Sequence, residues 1–357
     1  MNFVLENIIR ENVKKLVPYS SARSEYFGEK SVFLDANENP FNTGFNRYPD
    51  PYQRKLKKKI AQLKSVSPEK IFLGNGSDEI IDLLFRAFCE PGQGKAYILP
   101  PTYGMYEVAS AINNVDVIRI PLTPDFQVDT KTVLKQISST EVGVGGSLLF
   151  ICSPNNPTGN AVEKQVIELL LQNFKGLVVL DEAYIDFSPQ KSAVSLLDKY
   201  PNLVILQTFS KAWGMAGIRL GMGFCSEEIV QVLNKIKPPY NVNEITQEKA
   251  MESFSKPARK EQAVQQILMQ RKMLEMELSQ LPMIQKVFPS DANFLLVKTT
   301  NADAIYRLLK TKKIIVRNRS NLPLCENCLR ITVGTEQETK LLIKTLKAFS
   351  NEKGIIS

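Results

Sequence analysis

From about residue 53 to 240, short β-rich apolar runs alternate with helical stretches, and this alternation limits the fold more than any other feature of the chain. The clearest runs lie at 96–99, 115–120, 147–152, 177–181, 203–207 and 218–224. Helix-like segments between several of them favour a mainly parallel sheet covered by helices on both faces. Pro238-Pro239 ends the pattern. A long polar helical stretch follows at about 244–281. After it come a strand at 293–297, a helix at 302–311, short strands at 314–317 and 328–333, and a last helix at 336–349. This tail reads as a separate small α+β domain, and 357 residues suit one large and one smaller domain. Residues 1–17 read as a short helix, and 31–50, rich in Asp, Asn, Pro and Gly, as irregular loop.

Composition narrows the chemistry. The chain has no histidine. That excludes Ser-His-Asp and Cys-His nucleophiles, His-ligated metals and histidine acid–base catalysis. Proton transfer near neutral pH then falls to Lys, Asp/Glu, Tyr or a cofactor. Hydrophobic residues make up 43% and charged residues 23%, as in ordinary soluble globular proteins. The net charge is +8, but the basic residues are scattered. The densest run, Arg54 to Lys59, carries Leu56 and, further on, Ile60 and Leu63 at helical spacing, which makes it the wet face of an amphipathic helix. The five cysteines are odd in number and irregular in spacing, so no disulfide framework is expected. Cys325 and Cys328 form a lone C-x-x-C without the further ligands that zinc needs, and no metal site is expected. The N-terminus is charged from Glu6 and lacks a signal-peptide core; a cytoplasmic protein is expected.

In open α/β sheets, ligands bind at the carboxyl ends of strands, so polar residues just after apolar runs are the candidates. There are four. Leu203 to Gln207 leads to Thr208-Phe209-Ser210-Lys211, followed by small residues and Arg219. A lysine there can face a ligand, or simply reach solvent. Leu177 to Leu180 leads to Asp181-Glu182-Ala183-Tyr184; Asp181 can face a cation or cap the next turn. Leu148 to Cys152 leads to Asn155-Asn156-Pro157-Thr158-Gly159, which turn chemistry alone can also explain. Ile71 to Leu73 leads to Gly74-Asn75-Gly76-Ser77-Asp78-Glu79 and a helix from Ile80. A helix N-terminus there suits phosphate, and an ordinary Ser77 cap would look the same. Together the four ends offer an amine, a carboxylate, a phenol, an amide and a phosphate cradle, the set that pyridoxal 5'-phosphate requires.

Thr208 to Gly217 resembles the lysine signature of class II aminotransferases at every constrained position. Asn156 to Gly159 and Asp181 to Tyr184 resemble the other landmarks of fold-type I pyridoxal-phosphate enzymes. Further elements run the length of the chain: Leu16 to Tyr19, Ala36 to Pro40, Arg47 to Pro49, Gly76 to Glu79, Pro101 to Tyr106, Ile315 to Arg317 and Leu329 to Gly334. In these the sequence is similar to the histidinol-phosphate aminotransferase family.

The resemblance implies an α/β fold: a large cofactor domain over 31–243 with a mainly parallel mixed sheet, a small C-terminal domain over 244–357, and an N-terminal segment, 1–30, packed with the small domain. It implies Lys211 as the Schiff-base and catalytic lysine, Asp181 against the pyridine nitrogen, and Asn156 and Tyr184 on the ring oxygen. By the same resemblance Tyr103 is expected to stack on the ring, and the amides of Ser77 and Asp78, the hydroxyls of Thr208 and Ser210, and Arg219 to surround the phosphate. Tyr48 is expected to reach that phosphate from the partner subunit of a homodimer. Arg330 resembles the arginine that binds the carboxylate of glutamate, and Arg317 and Tyr19 resemble residues that help to hold the substrate phosphate. Tyr103 as a core aromatic, Arg317 as a surface ion-pair partner and Tyr19 as packing remain alternatives. The implied reaction exchanges an amino group between L-histidinol phosphate and 2-oxoglutarate in histidine biosynthesis. The rivals are a threonine-phosphate decarboxylase-like lyase, an aromatic amino acid aminotransferase, and a non-enzymatic regulator carrying the same fold. No nucleic acid or membrane partner is implied.

Overall fold

A computed structural model describes residues 3–19, 32–138 and 145–352. Its centre is a seven-stranded sheet in the order β1-β7-β6-β5-β4-β2-β3. The strands are β1 (Ile71–Asn75), β2 (Lys95–Ile98), β3 (Asp116–Arg119), β4 (Ser147–Cys152), β5 (Leu177–Asp181), β6 (Leu203–Thr208) and β7 (Leu220–Phe224). Only β7 runs antiparallel to its neighbours, between β1 and β6. The expected mainly parallel sheet is therefore present, with one reversed strand.

The strands are apolar on both sides because both faces are buried. Leu149, Ile151, Val178, Leu180, Leu203 and Ile205 enter one core, and Leu148, Phe150, Leu177, Val179, Val204 and Leu206 the other. Burial thus alternates with the two-residue period of a strand. Helices α1 (Glu11–Lys15), α2 (Arg54–Lys64), α3 (Gly76–Phe88), α4 (Met105–Ile112), α5 (Thr130–Ser138), α6 (Lys164–Asn173), α7 (Glu227–Ile236) and α8 (Glu244–Phe254) cover the two faces. Leu56 and Ile60 of α2 are buried, as the spacing behind the basic run predicts, but Leu63 is exposed and Lys57, expected on the wet face, is buried.

A second sheet, β10-β11-β9-β8, is wholly antiparallel. It consists of β8 (Ile284–Val287), β9 (Phe294–Thr299), β10 (Arg317–Asn318) and β11 (Cys328–Thr332). Helices α9 (Pro257–Ser279), α10 (Ala302–Thr311) and α11 (Glu336–Glu352) pack with it around Leu295, Val297, Ile305 and Leu329.

Several elements differ from expectation. The first helix is short, a 3-10 turn at Leu5–Asn7 and then α1. Ile8 and Val13 lie in the large-sheet core with Phe85 and Phe88 rather than with the small sheet; residues 20–31 of that segment are outside the described residues. The stretch at 244–281 is two helices, with Pro257 opening the second. The run at 218–224 pairs only from Leu220. Ala216–Ile218 forms a 3-10 turn, and Arg219 sits at φ +54°, left-handed backbone that cannot extend a strand. Strand β8, with only intermediate and exposed residues, gave no apolar signal. Helix α3 starts at Gly76, not Ile80, so Ser77 and Asp78 lie in its first turn rather than before it.

Where β1 and β7 meet the start of α3, backbones touch. A methyl group on Gly221 would lie 2.3 Å from the Gly76 carbonyl carbon and the Ser77 nitrogen. Gly221→Ala should therefore cost about 1–3 kcal/mol through overpacking. Gly223→Ala, whose methyl would meet Ile80 at 3.4 Å and Phe72 at 3.8 Å, should cost less. Chemical denaturation of both variants checks this, and equal midpoints would contradict it.

Candidate active site

Because β7 is reversed, its beginning lies at the same sheet edge as the ends of β1, β4, β5 and β6. The register pairs Asn75 with Leu220, Gly221 with Thr208, Leu206 with Asp181, and Asp181 with Cys152. Residues far apart in sequence thereby line one cavity of about 290 Å³. Its floor comes from the large sheet: Ser77, Asp78, Tyr103, Asn156, Asp181, Tyr184, Thr208, Ser210, Lys211 and Arg219. Arg317, Arg319 and Arg330 face it from β10, the turn after it, and β11.

Asp181 ends the buried strand β5. Its carboxylate accepts hydrogen bonds from the Tyr106 hydroxyl at 2.8 Å and the Ala183 amide at 3.0 Å. Burial still raises its pKa. A cationic partner at the cavity floor would relieve that cost. Glu182, one residue on, is held by Gln207 and Ser192 and by the Ala193 amide, outside the cavity lining.

Lys211 follows β6 by three residues, in the turn that begins with Thr208. The Ser210 amide donates to the Thr208 hydroxyl at 3.1 Å, which fixes that turn. The lysine Nζ lies 5.4 Å from the centre of the Tyr184 ring. Burial lowers its pKa, and nearby Arg330 lowers it further. Burial is also the main reason that the Tyr103 and Tyr184 hydroxyls resist ionisation; for Tyr103, Asp78 adds to it.

At the start of α3, Asp78 accepts a bond from the Tyr103 hydroxyl at 3.0 Å and approaches Arg219 at 3.5 Å. Gly76 has φ +72°, and a methyl there would strike the Arg219 guanidinium at 2.5 Å. The helix N-terminus, with Arg219 over it, is suited to an anionic tail. On the opposite wall Arg330 donates to the Asn156 side-chain oxygen. The Nε atoms of Arg319 and Arg330 are buried without a hydrogen-bond partner among the described residues. Buried donors of this kind call for a ligand's acceptors. The donor set fits a flat cationic ring with an anionic tail, bound beside an amine of lowered pKa.

Two expected residues are not part of this cavity. Tyr48 stacks on Tyr240, with ring centres 4.4 Å apart, and is half exposed. Tyr19 is exposed at the end of the described N-terminal segment. Three residues of the site were missed in the sequence. Tyr106 reaches Asp181 from α4, and its spacing from Tyr103 was the available signal. Cys152 ends a strand already identified. Arg319 lies two residues beyond Arg317, on the side that a strand's two-residue period repeats. Among the described residues no group of three or more Cys, Asp or Glu is placed to hold a metal, and no helix is long and apolar enough to cross a membrane.

The sequence profile described as aminotransferase class I and II matches residues 28–346. The histidinol-phosphate aminotransferase of Cytophaga hutchinsonii is 53% identical over 353 residues, covering 98% of this chain and 100% of that protein. The protein of the same name from Christiangramia forsetii is 50% identical over 353 residues, covering 98% and 99%. Among solved structures, the histidinol-phosphate aminotransferase from Clostridium acetobutylicum superposes with a TM-score of 0.79 at 27% identity, over 87% of this chain and 92% of that one. The L-threonine-O-3-phosphate decarboxylase from Porphyromonas gingivalis shares the fold, with a TM-score of 0.71 at 24% identity, over 85% and 91%.

The lowered pKa of Lys211 has a stability consequence. In ligand-free protein the folded state disfavours the charged amine, so the penalty is full below the folded pKa and gone above the unfolded value, near 10.5. Lys211→Met should be more stable than wild type at pH 7. The pH-dependent part of that gain should shrink as pH rises toward 10.5. Urea denaturation across this range measures it; a gain independent of pH would assign it to packing alone.

Proposed function

This chain belongs to the class I and II aminotransferases, and from that premise we propose that it is a pyridoxal-phosphate-dependent transaminase acting on L-histidinol phosphate and 2-oxoglutarate in histidine biosynthesis. The observation that carries this reading is a single cavity in which the Lys211 amine and the buried Asp181 carboxylate face the arginines of β10 and β11. Close relatives named for this activity support the choice of substrate.

Pyridoxal 5'-phosphate fits the site. Asp181 supplies the charge that keeps the ring nitrogen protonated, and that proton in turn supplies the cation that the buried carboxylate lacks. Asn156 and Tyr184 would hold the ring oxygen, and Tyr103 would hold the ring. The first-turn amides of α3, Thr208, Ser210 and Arg219 hold the phosphate. When bound, the cofactor supplies the carbonyl carbon that accepts the amino group and the ring that withdraws electrons.

Lys211 is the lysine that carries the cofactor and the group that takes and returns the proton of the amine-bearing carbon. Its lowered pKa gives it a larger neutral fraction for that task. The chain has no histidine to compete for the role. Arg330 binds the carboxylate of glutamate, and Arg317 joins it for the substrate phosphate, with Tyr19 assisting.

We also read residues 31–243 as the cofactor domain and 244–357 as the small domain, and the protein as a cytoplasmic homodimer. Leu34, Phe41 and Phe45 are exposed in the same segment as Tyr48. Such an apolar surface suits a second copy of the chain. Tyr48 would then reach the cofactor phosphate of the partner subunit's site.

Two experiments test the reading. In an amino-donor screen with 2-oxoglutarate, histidinol phosphate should be the preferred donor, and Lys211→Ala should abolish turnover while leaving the fold intact. Release of CO2 from threonine phosphate without need of 2-oxoglutarate would replace it with a lyase. For the dimer, Lys211→Ala and an inactivating Tyr48 substitution are placed on one chain, which is then unfolded, mixed equally with wild type and refolded. With shared sites every mixed dimer is dead, so activity per wild-type chain should fall to about half. No fall, with subunit exchange confirmed by native mass measurement, would place Tyr48 in its own chain's site.

A further inference from the structure

We propose that Arg319 is a third guanidinium of the subsite that holds the substrate's anionic group, and that it biases the site toward a dianionic phosphate monoester over a monoanionic carboxylate. This rests on the transaminase reading above and assigns a role to a residue outside the set already given for the site.

The argument begins with the sheet edge. Arg317 on β10 and Arg330 on β11 are direct partners in an antiparallel pair. Opposed residues of such a pair share a face, and like charges placed there repel. Arg319 follows Arg317 by two residues. Its amide donates to the Cys328 carbonyl at 2.9 Å, so the segment stays docked to β11 beyond the last ladder pair. All three side chains line the same cavity as Lys211.

Nothing described offsets this charge. The carboxylates of the cavity are engaged elsewhere, Asp181 by Tyr106 and Ala183, and Asp78 by Tyr103 and Arg219. Among the described residues, no ion pair joins any of the three arginines to an acidic side chain. The Nε of Arg319 is buried and has no hydrogen-bond acceptor there. Burial, then Arg330 and Arg317, hold the Arg319 guanidinium below its usual pKa. Three crowded cations with an unused buried donor are costly unless an anion binds. At equal distance a dianion gains twice what a monoanion gains from each cation. The third arginine therefore favours phosphate over carboxylate, because the one carboxylate that glutamate places at this subsite is matched by a single guanidinium fork.

The test uses holoenzyme with Arg319→Gln and Arg319→Lys. The histidinol-phosphate and glutamate half-reactions are followed separately in single turnovers by the cofactor's absorbance. A third arm measures inhibition of the glutamate half-reaction by inorganic phosphate. In Arg319→Gln the histidinol-phosphate half-reaction should fall about 10–100-fold in second-order rate constant, and the glutamate half-reaction less than about 3-fold. Phosphate inhibition should weaken by about 10-fold or more. Arg319→Lys, which keeps the charge and loses the fork, should lie between Arg319→Gln and wild type in all arms. It provides the same comparison if the glutamine variant does not fold. Equal losses in both half-reactions, or unchanged phosphate inhibition, would overturn the proposal. Should wild type react with glutamate but fail to use histidinol phosphate, the substrate reading falls, and the phosphate arm still decides whether Arg319 serves an anion subsite.

Discussion

The hydrogen-bonded ladder joining β4, β5, β6 and β7 sets where Cys152, Asp181, Thr208 and Gly221 lie relative to one another. Strands β4, β5 and β6 are apolar on both faces and are clamped between two cores, whereas β7 sends Leu220, Met222 and Phe224 into one core and presents glycines on its other face. A slip of one residue would send every side chain to the opposite face, so burial fixes the register strongly. The polar residues just past the ladder inherit that precision. Asp181 ends β5 and Lys211 lies three residues past the end of neighbouring β6, so the sheet sets where both segments leave it. The same clamp brings Gly221 against Gly76, leaving room for backbone only.

Electrostatic cost is concentrated at this edge. Asp181 is a carboxylate that burial pushes toward protonation, and Lys211 an amine that burial pushes toward neutrality. Arg319 and Arg330 are likewise depressed, first by burial. A stable fold would avoid such groups if they served no ligand, because each is more favourable in water. The apolar cores offset the cost, and bound anions and a cationic ring remove most of it. Binding and stability are therefore linked in this protein, and occupancy of the site should raise its resistance to unfolding.

Much of this is legible in the sequence alone. The apolar runs at 147–152, 177–181 and 203–207 correspond closely to β4, β5 and β6, because buried parallel strands carry an unbroken apolar signal. Lys211, Asp181 and Asn156 stood out because strand ends are where open sheets bind ligands. Other features were invisible for physical reasons. Strand β8 has little burial and so no pattern. The left-handed turn at Arg219 shortened β7 without a glycine to announce it. Ile8 and Val13 pack into the large-sheet core, a long-range contact that periodicity cannot express.

The sequence by itself determined most of the elements, the division into a large α/β and a small α+β part and the inventory of reactive groups, since these follow from local apolar period, turn residues and the lack of histidine. Only the tertiary structure decided which distant residues share a cavity. The reversal of β7 places Arg219 beside Ser77 and Asp78, and the antiparallel pairing of β10 with β11 sets Arg317 against Arg330. It also turned Arg319 from an unremarked neighbour into a third cation facing Lys211. The physical reason is that pairing register and long-range packing are cooperative properties of the whole sheet. No local window of sequence carries the relative position of two strand ends separated by a hundred residues or more.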